Sequence, residues 1–230
     1  MKKNKTTEEM PLLQASIGNL IIVGTAHVGE LSIQEVKRVI LENKPSVVAV
    51  ELCRDRLIAL MSKAGALLPF GSNILVWSLA LLERIVGAMV GTQPGSEMLA
   101  AVDGAKQVGA KVEFIDMPIR EIMLRIRSIP RKEKARLMLD CTAAIFAVLL
   151  TWKMSDNTPR DLEILMARFS HRYPMLYEHL MRERNRYMSG KLHDLLASTF
   201  GKVVAVVGLG HVEGLIRELY AEPLPKSCYG

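Results

Sequence analysis

Cysteine is scarce and unpaired in this chain. Cys53, Cys141 and Cys228 lie far apart and form no CxxC pair, which argues against a disulfide framework and for a reducing compartment. Aromatic residues are few as well, at 5%, so the core has to be built from Leu, Val, Ile, Ala and the 13 methionines. Long apolar runs are also missing. Residues 74–90 are broken by Glu83 and Arg84, and residues 141–152 stop after about a dozen positions, short of the roughly 18 that a membrane span needs. A carboxylate near mid-bilayer is costly. Both stretches therefore read as buried or interface helices, with docking to a second copy or to a membrane surface as the alternatives. No apolar leader core occurs in residues 1–10, so the expectation is a disordered tail over 1–11 and a cytoplasmic, at most membrane-peripheral, protein. There is no internal repeat of fixed period and no low-complexity run.

What is present is ample for one core. Half of the 230 residues are apolar, enough for a single domain spanning residues 1–230. The formal charge of +6 favours anionic partners without naming one. The basic run 120–136 is interrupted by Glu121 and Glu133 and holds no aromatic residue to stack a base. It reads as a solvated helix face, and nucleic acid is not an expected partner.

Four short runs, residues 20–23, 47–50, 112–115 and 203–207, are rich in Val and Ile, and only the third carries a charge, Glu113. Such runs suit a parallel sheet covered on both faces. Residues 12–16 are expected to add an antiparallel edge strand through a turn at Gly18 and Asn19. Helical patterns separate the strands. Ser32 with Glu35 forms a capping box opening one helix. A second runs from Arg54 to about Ala64, and a third from Ser96 to Gly109. Between Pro118 and Phe200 the pattern is helical almost throughout. The fold class is therefore α/β: a mostly parallel central sheet, helices on both faces, and a large helical insertion (118–200) capping it between the third and fourth core strands.

Ligands of such sheets bind outside the carboxyl ends of the strands. Each of the four exits carries a titratable side chain: His27 after Gly24-Thr25-Ala26, Glu51, Asp116, and His211 after Gly208-Leu209-Gly210. Any one alone is an ordinary cap or structural residue, but Gly-x-x-His occurs twice, each time after a β-branched strand. Imidazoles and a carboxylate in one cleft suit two chemistries. Either His27 and His211 hold a divalent metal with Glu51 as base or third ligand, or Glu51 and a histidine work as base and acid without metal. Pro118 makes a helix-start role for Asp116 the competing reading. In the helix after Pro174, Leu176, Leu180, Met188 and Leu192 form a core-facing stripe, and Arg184 falls on it. Arg184 either snorkels to water or meets a carboxylate or other anion in the cleft. Asn185 is either a substrate contact or an exposed helix residue. Gly208-Leu209-Gly210 is half a dinucleotide fingerprint, but Gly214 comes one residue late for GxGxxG, so that reading is set aside.

Gly24-Thr25-Ala26-His27-Val28, Val50-Glu51-Leu52 with Arg56, Glu183-Arg184-Asn185-Arg186-Tyr187-Met188 and Gly208-Leu209-Gly210-His211-Val212 together resemble the TraB family, the pheromone-shutdown-protein group. That family is related to the Tiki metalloproteases and more distantly to erythromycin esterase-like and ChaN-like proteins. The resemblance implies a shared α/β fold with His27, Glu51 and His211 at the active site and Arg184 in support. Asp116, Asn185 and Arg56 are further candidates. It also implies a divalent ion (manganese, cobalt or zinc) and metal-dependent hydrolysis of a peptide, amide or ester. The rival expectation is a module that sequesters a peptide or signal molecule without chemistry, with residues 74–90 as a docking or homo-oligomer surface.

Overall fold

A computed structural model describes residues 13–25, 29–61, 95–140 and 159–221. The apolar stretches 74–90 and 141–152, the tail, and His27 fall outside them. Five strands form one sheet in the order β1-β2-β5-β3-β4. They are β1 (Leu13–Ile17), β2 (Leu20–Thr25), β3 (Val47–Val50), β4 (Lys111–Phe114) and β5 (Val203–Gly208). β1 pairs antiparallel with β2, and the other pairings are parallel. The edge hairpin, the four parallel strands and the layered α/β class are as the sequence pattern leads one to expect. Strand ends move by one or two residues. β5, last in sequence, lies between β2 and β3.

Strand periodicity sorts the core into two layers. Ile21, Val23, Val48, Val50, Val204 and Val206 face α1 (Gly29–Asn43) and α3 (Ser96–Val108), meeting Val36, Val39, Ile40, Met98, Ala101 and Ala105. Leu20, Ile22, Val47, Ala49, Val203, Ala205 and Val207 face α7 (Glu183–Ser198) and α8 (Leu209–Ala221). Met188, Leu192 and Leu196 from α7 are fully buried there, and truncating any one to alanine would cost about 2–5 kcal/mol. α7 is thus a layer of the domain's core, although the sequence assigns it to a capping insertion.

Two boundaries differ from expectation. α1 begins at Gly29, so Ser32 lies inside its first turns and does not cap it. Glu35, the other half of the supposed box, accepts from Arg38 Nε at 2.7 Å. The second helix, α2, is described as Arg54–Met61. α3 ends as its glycine suggests, with Gly109 left-handed at φ 72° and its N–H closing the last turn.

Most of the described residues between β4 and β5 are helical: α4 (Ile119–Ser128), residues 131–140, α5 (Pro159–Arg172), the short α6 (Pro174–Tyr177), and α7. A π-helical turn, Glu178–Arg182, joins α6 to α7. It divides the expected stripe. Leu176 and Leu180 pack with Met117, Ile122 and Ile126 in a third cluster, whereas Met188 and Leu192 pack on the sheet. Arg184 sits at the junction of these two contacts.

Candidate functional site

Glu51 is the first residue past β3, and its N–H still donates to Val206 O at 3.0 Å, so the ladder with β5 continues through it. Two-residue periodicity puts its side chain on the face of Val47 and Ala49, the α7 and α8 face. There its Oε2 accepts the N–H of Gly208 at 2.6 Å. Gly208 immediately precedes α8, so the carboxylate stands at a helix N-terminus, where backbone donors and the dipole favour a negative charge.

Arg184 joins three elements. Its Nη2 donates to Glu51 Oε1, its Nε to Asp116 Oδ1 at 2.8 Å, and its Nη1 to the Leu180 carbonyl at 3.3 Å. That carbonyl belongs to the π-helical turn. Nη1 also lies 3.1 Å from Nε2 of His211. A guanidinium buried to 9% exposure with two carboxylates is the pairing that burial demands.

His211 occupies the first turn of α8. Its Nδ1 lies 2.7 Å from Asn185 Oδ1, and its Nε2 lies 3.3 Å from Glu51 Oε1 as well as next to Arg184. An arginine N–H can only donate, so that contact requires a lone pair on Nε2 and the proton on Nδ1. A protonated ring would instead donate Nε2–H to Glu51. In both forms Nδ1 carries a proton held by Asn185. Gly214, one turn further along α8, makes this possible. A Cβ there would fall on the Asn185 side-chain amide.

Asp116 is nearly inaccessible at 3% exposure. Its Oδ1 also accepts the N–H of Met117 at 2.8 Å. Pro118, not Asp116, is the residue flanking α4. Its Oδ2 has no hydrogen bond among the described residues and faces Arg56 Nη1 at 3.7 Å. Arg56 is 37% exposed and forms the solvent side of the group.

The electrostatics follow from this geometry. Burial pushes the Glu51 carboxyl up, but the charge of His211 in its protonated form, Arg184, the Gly208 N–H and Arg56 together outweigh it and hold the group at about 2. Burial alone would lower Arg184, but Glu51 and Asp116 push it further up, so it keeps its charge.

Of the residues read from sequence, Glu51, Asp116, Arg184, Asn185 and His211 form one buried hydrogen-bonded group, with Arg56 at its rim. His27 lies outside the described residues. β2 ends at Thr25, registered with Gly208. Three contributors were not anticipated: the Gly208 N–H, the Leu180 carbonyl and Gly214. Gly214 was visible only as the misplaced glycine of a dinucleotide fingerprint. As for a metal, no group of three or more His, Cys, Asp or Glu side chains among the described residues is arranged to hold one. Arg184 already engages both Glu51 Oε1 and His211 Nε2, so these residues alone do not make a metal centre. No helix among the described residues is long and apolar enough to cross a membrane.

The comparisons with known proteins agree with the motif reading. The TraB/PrgY/gumN family profile matches residues 14–222. The chain is 29% identical over 231 residues to Uncharacterized protein MJ1365 of Methanocaldococcus jannaschii, with 87% of this chain aligned to 53% of that protein. It is 27% identical over 278 residues to the TraB domain-containing proteins of Mus musculus and Homo sapiens, covering 97% of this chain and 73% of each relative. The chain thus spans about half the length of the archaeal relative.

Proposed function

This chain belongs to the TraB/PrgY/gumN family, and we propose that it is a hydrolase of peptide, amide or ester bonds in which Glu51 and His211 handle the protons. The observation that supports this most is the pairing of an ionised Glu51 with a histidine whose Nδ1 is fixed by Asn185. With Nδ1–H held, and once the incoming water has replaced the Arg184 N–H at Nε2, the Nε2 lone pair accepts a proton from that water as the water oxygen bonds to the substrate carbonyl carbon. The same proton then passes from Nε2 to the departing nitrogen or oxygen as that bond breaks. Glu51, beside Nε2, stabilises the imidazolium formed between the two steps, and Arg184 holds Glu51 in place. The divalent ion implied by the TraB-family resemblance would need His27 as a further donor, and Glu51 and His211 freed from Arg184. It would supply Lewis-acid polarisation of the carbonyl.

One observation favours a second reading. Arg184 is satisfied inside the group by Glu51, Asp116 and Leu180, and such a closed network also serves a protein that binds a peptide without cutting it. The two readings separate in one experiment. Purified protein is assayed for bound metal, and for cleavage of peptide and ester substrates with and without divalent ions, alongside Glu51→Gln and His211→Ala. Turnover lost in both variants, with peptide binding kept in Glu51→Gln, supports hydrolysis. Peptide binding without turnover in any form supports sequestration.

A further inference from the structure

A second charged feature lies on the helical insertion, formed by residues none of which belongs to the Glu51–Arg184–His211 group. The last two turns of α5 present Arg168, His171 and Arg172 on one side, spaced i, i+3 and i+4. Opposite them stands Arg136, from the helical residues 131–140. These four exposed side chains line one open surface depression of about 490 Å³.

The charge in this depression is unbalanced. Arg172 is ion-paired, giving Nη2 to Asp140 Oδ1 at 2.7 Å and Nε to Oδ2 of the same group, and the one Asp140 carboxylate also feels the charge of Arg136. Arg136 donates Nη1 to the Arg172 carbonyl at 3.2 Å. This braces the two helices without neutralising any charge. Neither Arg136 nor Arg168 has an ion pair among the described residues. Arg168 and Arg172, four apart on one helix, repel each other. The lining holds no lysine, and arginine is the side chain whose planar fork matches phosphate oxygens two at a time.

We propose that this depression is a binding site for a phosphate-class anion carrying at least two negative oxygens, engaged by Arg168 and Arg136 with His171 beside them. Arg172, tied to Asp140, fixes the wall. Two sources offer that chemistry, a soluble phosphate ester and a lipid phosphate headgroup. The sequence gives reason to test the second, because the apolar run 141–152 starts directly after Asp140.

The test uses the full chain and needs no turnover, so it stands or falls apart from the hydrolase reading. Calorimetric titration with pyrophosphate is run beside flotation with phosphatidylcholine vesicles, with and without phosphatidic acid. The variants are Arg136→Gln with Arg168→Gln, and a control pair, Arg182→Gln with Arg217→Gln, which removes equal charge from exposed positions elsewhere. Wild type and the control pair should bind alike. The first pair should lose roughly tenfold or more for each arginine removed, with an unchanged circular dichroism spectrum. Binding of pyrophosphate alone assigns a soluble ligand, and binding only to phosphatidic acid vesicles assigns a headgroup. The proposal is overturned if neither probe binds wild type, if both pairs weaken binding equally, or if the Arg136/Arg168 pair binds as wild type does.

Discussion

Asn185 Oδ1 sits 2.7 Å from Nδ1 of His211, and it can do so because residue 214 has no side chain. One glycine on α8 therefore sets the protonation geometry of a histidine one turn away. A Gly214→Ala substitution should push the Asn185 amide aside and cost about 1–3 kcal/mol, the usual range for overpacking. Urea denaturation checks the stability, and ¹⁵N NMR of the imidazole checks the tautomer. If the Nδ1–H form persists at wild-type intensity, the claim that Asn185 fixes it is wrong.

Removing Arg184 should be the most damaging single change in the group. Arg184→Met leaves Glu51 and Asp116 buried without their shared counter-charge, which costs on the order of 3–5 kcal/mol. Arg184→Lys should recover only part of this, because an ammonium cannot reproduce the fork that bonds Glu51 and Asp116 from separate nitrogens. Denaturant midpoints of the three proteins give the order directly. Equal stability of the Lys variant and wild type would refute the fork argument.

Acid should weaken the fold through Glu51. Its carboxyl is held at about 2 in the folded chain against an ordinary 4.5. The sign follows from proton uptake: the unfolded chain binds the proton first as pH falls. The stabilisation from Glu51 is therefore complete above pH 4.5 and is lost progressively down to about 2. Glu51→Gln should be less stable than wild type at neutral pH, with a shallower fall across that window. Parallel stability curves in acid would show that Glu51 is not so perturbed.

Gly201 offers a check on the turn between α7 and β5. Its φ of 111° is unfavourable for any side chain, and a Cβ there would run into Ser46 Oγ. That hydroxyl is already committed, donating to the Phe200 carbonyl at 3.0 Å. Gly201→Ala should cost about 1–3 kcal/mol, and the double variant with Ser46→Ala should recover the steric part but not the backbone part. Full recovery would mean that φ carries no strain.

The strands were readable because four short β-branched runs have few other stable outcomes, and because alternation along each decides its faces. The position of Arg184 was readable for a similar reason: the four-residue stripe of α6 and α7 passes through it, and a buried cation must meet an anion. Sequence could not show that a π-helical turn splits that stripe. Nor could it show that α7 is part of the core, since helical periodicity reports one buried face without saying what covers it. Asn185 could be read either as a substrate contact or as an exposed helix residue, and it is 5% exposed. The space it fills arises only from how α7 crosses α8 at Gly214, a long-range fact with no local signature. The capping-box reading of Ser32 failed because the motif is short and α1 extends past it. His27, on which the two-histidine reading depends, lies outside the described residues.

The placement of β5 carries a consequence for how the chain comes to be folded. β2 bonds only to β1 and β5, and β3 only to β4 and β5. Until residues 203–208 leave the ribosome, the sheet exists as two separate ribbons, each too small to persist in water. Assembly of this sheet therefore waits for β5, the last in sequence of the described strands and the one that joins the two ribbons. Glu51 and His211 meet at the same moment, so their buried hydrogen-bonded group and the cooperative fold are acquired together.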